Sequence, residues 1–430
     1  MQRPQLVEFM KRMDQDSVAI IPSAREAVRS NDTQHRYRQD SDFYYLTGFH
    51  EPDSIAVVAP SREHRFTLFV RPRDPEKEIW DGRRAGVEGA QSEYGANAAF
   101  PIAEFEEKLG DLINGARNLY YRIGVNQELD ETIVRQIRRL RAMVRKGFSA
   151  PQAIIDTGVI LHEMRLVKDE GEVAIMQRAA DIAAEAHREA MKAAHPGMKE
   201  YEIEALIEYL FRKNGAAAPA YSSIVGGGAN ATVLHYINND ATLRDGDLLL
   251  VDAGAEYLGY ASDITRTFPI NGRFTRAQRE IYDLVLEAQL ACIEMARPGT
   301  RMEDIHKRSV EVLTAGMIRL GLLKGDPEEL IKEEKYKQFY MHTVGHFLGM
   351  DVHDVGRYHI DGESRRLEPG MIITVEPGIY IAQETKEIPE KYLGIGVRIE
   401  DDVLVTENGP RVLSSKAPKQ PEEIEELMAR

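Results

Sequence analysis

Asp247-Leu248-Leu249-Leu250-Val251-Asp252-Ala253-Gly254, followed by Ser262-Asp263-Ile264-Thr265-Arg266-Thr267-Phe268, is the stretch on which the fold turns. The first segment is an apolar run that closes on a carboxylate, and the second carries another carboxylate eleven residues later. A turn around Tyr257-Leu258-Gly259 folds the two strands into a hairpin and brings Asp252 and Asp263 together. Two carboxylates on an apolar strand pair repel each other and lose hydration, so they need a cation or a shared proton. Taken alone, the pair leaves open both a metal site and a pair of aspartates satisfied by a turn.

Two further clusters lie downstream. His342-Thr343-Val344-Gly345-His346 is followed by His353-Asp354. Histidines four apart are the zincin spacing, but Thr343 stands where that motif needs its glutamate, and Gly345 weakens a helix. One such histidine alone reads as a core residue; three within twelve residues, beside glycine-rich turns, read as a site. The other cluster is Glu376, ending Met371-Ile372-Ile373-Thr374-Val375, and Glu400, in Gly396-Val397-Arg398-Ile399-Glu400-Asp401. A glutamate pointing inward from a strand is costly unless a cation meets it. Arg398 is one candidate partner, which would make that glutamate purely structural.

The rest of the chain frames these clusters. Across 430 residues, 43% hydrophobic and 29% charged, the composition is that of a globular protein with two or three domains. The first part alternates strand-like runs (17–21, 54–58, 66–70) with helical patterns (104–113, 128–144), as an α/β domain does. Near Leu161–Lys168 the character changes to long amphipathic helices: 169–194, 202–213, one capped by Thr275 and running to Arg297-Pro298-Gly299, and 303–320. The expectation is an α/β domain with a mixed sheet over 1–165, then an α+β domain over 166–430 with helices packed on an antiparallel sheet.

Several function classes fall away. With 55 Lys and Arg against 70 Asp and Glu, the net charge of −15 disfavours nucleic acid, and the basic stretch Arg135–Arg141 reads as the polar side of a helix. No window is apolar enough for a membrane span, and the first residues lack a signal-peptide core, so the expected compartment is the cytoplasm. The single cysteine, Cys292, follows Ile281, Leu284, Val285 and Ala288 at helical spacing and reads as a core thiol. There is no Gly-x-Ser-x-Gly elbow and no Walker loop; Gly226-Gly227-Gly228 reads as a flexible turn.

Together, Asp252, Asp263, His346, Glu376 and Glu400 offer four carboxylates and one imidazole, a hard, anionic set that suits two divalent ions, Mn²⁺ in preference to thiolate-type zinc. The order Asp252-Ala-Gly, Ser-Asp263-Ile-Thr-Arg-Thr-Phe-Pro, Gly-His346-Phe-Leu-Gly, Val-Glu376-Pro-Gly, Arg-Ile-Glu400-Asp resembles the pita-bread metalloaminopeptidases of peptidase family M24. Within that family the resemblance is nearest to the aminopeptidase P (Xaa-Pro aminopeptidase) group, and it extends over essentially the whole chain. Residues 37–49 and Glu78-Ile79-Trp80-Asp81-Gly82-Arg83-Arg84 resemble that group's N-terminal domain.

The resemblance implies a two-metal exopeptidase that releases the first residue from peptides with proline second, by attack of a hydroxide bridging two divalent ions. It implies that Asp252 chelates one ion, Asp263 and Glu400 bridge, His346 binds the second, and Glu376 completes that shell and exchanges protons. His235, His342 and His353 take substrate-side and oxyanion roles, with Arg398 beside them. Tyr221, Tyr380, Trp80 and Asp32 fall on substrate-side positions, Asp32 as a gating partner of Arg398. The family also implies a homo-oligomer, dimer or tetramer. Thr343-Val344 and Asp81 depart from the usual residues, which bears on pocket shape. Prolidase shares the ligands, but residues 79–84 and 392–401 look more like aminopeptidase P. Methionine aminopeptidase lacks the extra domain, a creatinase-like enzyme would lack the ligands, and a non-catalytic relative would have lost some of them.

Overall fold

The computed structural model describes residues 2–429. The chain folds as two compact units, the first ending at Met164 and the second beginning at Arg165.

In the first unit, Ser17–Pro22 is buried over nearly its whole length, so its apolar run is continuous rather than alternating, as a central strand requires. It pairs antiparallel with Ile55–Val58 on one side and parallel with Asn118–Tyr120 on the other. Phe66–Val70, Ala98–Pro101 and Ala153–Ile155 complete a mixed six-stranded sheet. The helices Phe105–Ile113 and Gln127–Ala142 lay Leu109, Ile113, Ile133, Ile137 and Leu140 against Val18, Ile20 and Val57. Arg135, Arg138, Arg139 and Arg141 stay exposed on the far side of the second helix, and Arg135 pairs with Glu106. The basic stretch is a solvated helix face.

The second unit is built on long helices. Glu170–Ala193 starts at a capping box of Asp169 and Glu172 and packs its alanines against Glu200–Lys213. Arg276–Ile293, capped by Thr275, crosses Met302–Leu320; it ends four residues short of Arg297. Cys292 is fully buried, and burial pushes its thiol up to about 12, so it is a core residue and not a nucleophile. These helices share one core with Leu248, Leu249, Val251 and Phe268.

Three antiparallel strands, Ile224–Gly227, Leu248–Asp252 and Thr265–Pro269, form one sheet. Gly226-Gly227 is thus strand rather than turn, and only Gly228 takes a positive φ, of 57°. Between Leu248–Asp252 and Thr265–Pro269 a small hairpin turns at Leu258 and Gly259, both with positive φ, with Tyr257 opposite Tyr260. That is the two-residue turn whose twist matches its strands.

Four further strands form a ribbon that is interrupted, and Gly409–Val412 pairs onto one of them. Ile372–Val375 pairs with Asp401–Thr406, and Gly378–Tyr380 pairs with Gly396–Arg398. Sequence periodicity predicts single strands over 371–376 and 396–401. Instead each breaks, at 376–377 and at 399–400, because Glu376 and Glu400 turn their backbones to other partners. The Glu376 amide donates to the Val344 carbonyl and the Glu400 amide to the Thr265 carbonyl. Both glutamates therefore sit in the gap of one ladder.

Candidate metal centre

Asp252 ends its strand directly opposite Thr265, so Asp263, two residues before Thr265, shares its face diagonally. The Tyr221 hydroxyl lies 2.6 Å from Asp252 Oδ1 and 2.5 Å from Asp263 Oδ1. It has one proton for two carboxylates.

Arg398 leaves the ribbon just before the gap. Its Nη2 donates to Asp252 Oδ2 at 2.6 Å, Nε to Thr265 Oγ1 at 3.1 Å and Nη1 to the Tyr380 hydroxyl at 3.0 Å. Its bonded carboxylate is Asp252, not either glutamate, because the strand Gly396–Arg398 runs beside Thr265–Pro269 and aims the guanidinium across it. Glu400 instead receives the Thr265 hydroxyl at 2.6 Å.

His346 does not lie on a helix. Residues 344–348 run alongside Ile372–Val375, exchanging backbone bonds with Ile372, Thr374 and Glu376. Gly345 permits this approach, since a Cβ there would stand 2.0 Å from the Thr374 carbonyl oxygen. The His346 Nδ1–H donates to the Phe347 carbonyl at 3.0 Å, which leaves Nε2 as the free ligand nitrogen. That nitrogen is 3.4 Å from Asp263 Oδ2 and 3.6 Å from Glu376 Oε1. His342 Nε2 meets the Tyr380 hydroxyl at 2.8 Å, and His353 packs edge-on against His346.

Tyr221, Asp252, Asp263, Arg398, Glu400, His346, Glu376, His342 and His353, together with His235, line one cleft of about 490 Å³, with Thr265 and Tyr380 behind it. Ile224, Leu234, Ile237 and Val352 supply its apolar wall. Trp80 and Asp32 belong to the first unit, where both are exposed, one on the short helix Pro75–Asp81 and the other in the turn between Val28–Ser30 and Thr33–Gln34.

The electrostatics call for cations. Burial, reinforced by Asp263, Glu376 and Asp252, drives the Glu400 carboxyl well above the usual carboxylate range. Burial raises Asp252 even against Arg398, and it pushes Glu376 up to about 7 despite His346 and Arg398. Three buried carboxylates and the half-buried Glu376, facing one guanidinium and one imidazole, are a strained set without added positive charge. Ligand atoms of Asp263, His346 and Glu400 lie within 4.8 Å of one another, close enough to hold one ion. The oxygen-rich, sulfur-free donors fit a hard divalent metal.

The model of metallopeptidase family M24 matches residues 174–407, more than half of the chain and all five of these donors. The chain belongs to family M24. Ahead of it, residues 3–121 match the aminopeptidase P N-terminal domain. The M24 chain is 46% identical over 422 residues to the Xaa-Pro aminopeptidase of Escherichia coli K12, covering 98% of this chain and 95% of that one. Among solved structures it is similar to Pseudomonas aeruginosa aminopeptidase PepP, with 51% identity, a TM-score of 0.97, and coverage of 99% and 96% of the two chains. It is also similar to zinc-substituted E. coli aminopeptidase P in complex with product, with 45% identity, a TM-score of 0.95, and coverage of 99% and 96%. The resemblance seen in the sequence is therefore a true one. The fold is the expected mixed-sheet domain followed by a pita-bread domain.

Three residues behind the M24 site have no motif to announce them. Asp402 accepts the Asp263 amide at 3.1 Å, and its only sequence signal is a third acid following Glu400 and Asp401. Glu200 gathers four hydrogen bonds under the cleft wall. His187, on the helix Glu170–Ala193, is fully buried and donates from Nε2 to the Ala253 carbonyl at 3.0 Å, between the two aspartates.

Burial, with Arg266 nearby, lowers the His187 imidazole from about 6.5 to about 4. It stays neutral in the folded chain while the unfolded chain takes up a proton below about 6.5. Its contribution is thus complete above that pH and disappears as pH falls toward 4, a loss of about 3 kcal/mol. Urea unfolding at pH 6.5 and 4.5 should show a shallower acid loss for His187→Gln than for the wild type. Equal losses would refute the assignment.

Proposed function

We propose that this chain is an Xaa-Pro aminopeptidase, a metallo-exopeptidase releasing the first residue of peptides whose second residue is proline. The observation that carries the reading is the convergence of Asp252, Asp263, His346, Glu376 and Glu400 on one cleft, with their charges unbalanced. Near-complete coverage of relatives bearing that activity in their names supports it.

In this reading the five residues would hold two divalent ions, manganese as resident metal, with Asp263 and Glu400 as the shared ligands. Such a pair, when bound, supplies an activated water at neutral pH and polarises the scissile carbonyl. The chain's own residues do the rest. Glu376, which lines the cleft beside His346, takes and returns protons as the general base. His342 is pushed down to about 4 by burial and by Arg398, so it is a neutral imidazole at pH 7, held by Tyr380 and able to orient substrate. His353 lines the same cleft and, with His342, serves as a donor toward developing oxyanion charge, while His235 stands on the substrate side. Arg398 fixes Asp252 and Tyr380 with one hydrogen bond to each.

Proline is a tertiary amide with no N–H to recognise, so selection rests on ring shape against the wall of Ile224, Leu234 and Ile237 beside His235, His342 and Tyr380. Trp80 and Asp32 carry the substrate-side roles that the resemblance implies, and the reading includes a cytoplasmic homo-oligomer.

The test is hydrolysis of an Xaa-Pro dipeptide, an Xaa-Pro-Yaa tripeptide and an Xaa-Ala-Yaa tripeptide, with Mn²⁺ and after chelation. Metal-dependent release of the first residue, fastest from Xaa-Pro-Yaa, is the expected result. Preference for the dipeptide would make the chain a prolidase, and no hydrolysis with any metal would overturn the enzyme reading.

A further inference from the structure

The cleft wall that carries His235 is built from irregular chain. Residues 228–232 form a short 3-10 turn, and residues 233–240 have no regular structure. Among the described residues no hydrogen bond holds the His235 imidazole itself, so its place depends on its backbone. That backbone is gathered mainly at Glu200, with Asn239 tying its far end to Ser223 and Val225.

Glu200, the first residue of the helix Glu200–Lys213, is fully buried, and no cation pairs with it among the described residues. Its Oε1 accepts the Gly227 amide at 2.7 Å and Asn230 Nδ2 at 3.0 Å. Its Oε2 accepts the Tyr236 hydroxyl at 2.8 Å and the Ala241 amide at 2.9 Å. The first and last of these partners are the two ends of the wall segment. The other two lie within it, one of them next to His235. The helix returns the connection, since the Glu200 amide donates to the Ala241 carbonyl.

A carboxylate buried among neutral donors loses its hydration and has no ion pair in compensation, so four converging hydrogen bonds are what make it tolerable. Each of those bonds removes freedom from a segment that would otherwise sample many conformations.

We infer that Glu200 is a positioning residue for substrate: it closes residues 227–241 into a fixed wall and so holds His235, Leu234 and Ile237 in the cleft. This rests on the proposed peptidase reading for its kinetic consequence but not for its structural one. Glu200→Gln is close to isosteric and keeps one acceptor, but turns an amide N–H₂ toward donors. Tyr236→Phe removes one of the four bonds to Glu200, with a longer 3.4 Å contact to Asp240, and leaves the carboxylate in place, so it serves if the first variant folds poorly.

Two measurements decide the matter. The first is amide hydrogen exchange on the full chain. For Glu200→Gln, exchange of residues 228–240 should rise at least about tenfold while the strand Leu248–Asp252 keeps its protection, with Tyr236→Phe giving a smaller change in the same segment. The second is kcat/KM on Xaa-Pro-Yaa in wild type, Glu200→Gln, His235→Asn and the double variant. Acting through His235, the Glu200 change should cost about tenfold, mainly in KM, in the wild-type background and less than about twofold when His235 is already gone.

Unchanged exchange in residues 228–240, or an equal cost in both backgrounds, overturns the inference. Uniformly raised exchange across the second unit also overturns it, because Glu200 would then be serving general stability. If the wild type cleaves no Xaa-Pro peptide, the functional proposal fails on its own, and the exchange experiment still decides whether Glu200 clamps the wall.

Discussion

Asp263→Asn is expected to reduce peptide hydrolysis by at least about a thousandfold and to lower the bound divalent metal from two ions per chain to one or fewer. Asp263 is placed between the two halves of the site. Its Oδ1 meets Tyr221 and its Oδ2 lies 3.4 Å from His346 Nε2. It is also one of the three residues whose ligand atoms converge closely enough for a single ion. An amide has one neutral acceptor and presents N–H₂ on the other side, so it cannot bridge two cations.

The same substitution should have the opposite effect on the metal-free protein. It removes one of the charges that raise Glu400 and Glu376, so in chelator the variant should unfold at a temperature equal to or above that of the wild type. Mn²⁺ should then stabilise the wild type more than the variant and reverse the order. Elemental analysis and thermal melts with and without metal check both halves. Two ions retained at full rate would end the ligand assignment.

The second large effect lies just behind the site. Arg266 is fully buried and donates from Nη2 to Asp401 Oδ1 at 2.7 Å. Asp401 also accepts Ser414 Oγ, Gln289 Nε2 and Lys419 Nζ at 2.6, 2.8 and 2.6 Å. Burial alone would raise this carboxyl, but Arg266 and Lys419 prevail and hold it far below the usual range. Asp401→Asn leaves the buried Arg266 and the half-buried Lys419 without their counter-charge. The expected cost is about 3–5 kcal/mol, or a drop of about 10 °C in the melting temperature of the second unit.

Arg266 Nη1 also holds the Glu400 carbonyl, so metal affinity should fall by about 10- to 100-fold even at temperatures where the variant is folded. Calorimetry and metal titration read the two consequences separately. A change under about 1 kcal/mol would show that the cluster is not the anchor described.

How much of this was legible in the sequence follows the kind of force involved. Strands such as Phe66–Val70 and helices such as Met302–Leu320 are set by local apolar period and caps, and they stand within a residue of where that pattern puts them. The close pairing of Asp252 and Asp263 also reads locally, since a positive-φ turn at Leu258-Gly259 lies between them. The breaks at 376–377 and 399–400 do not, because periodicity continues through them and only tertiary partners, Val344 and Thr265, divert the backbone. Arg398 was open to pairing with a glutamate because Glu400 is its near neighbour, whereas its bonded carboxylate lies 146 residues away in sequence. His187 and Glu200 sit in amphipathic helices whose pattern gives no reason to single them out. Their roles exist only through the segments that pack against them.

The interrupted ribbon also sorts the chain by its tolerance of length change. Adding or deleting one residue at 375–378 or 398–401 would shift the pleat and turn a glutamate to the wrong face. Residues 381–395 merely join the two outer strands, and most of 382–390 is exposed. A peptide label or affinity tag inserted near Glu384 would lengthen that connection without moving either carboxylate, which makes this bend a natural handle for attaching the protein to a surface or a probe.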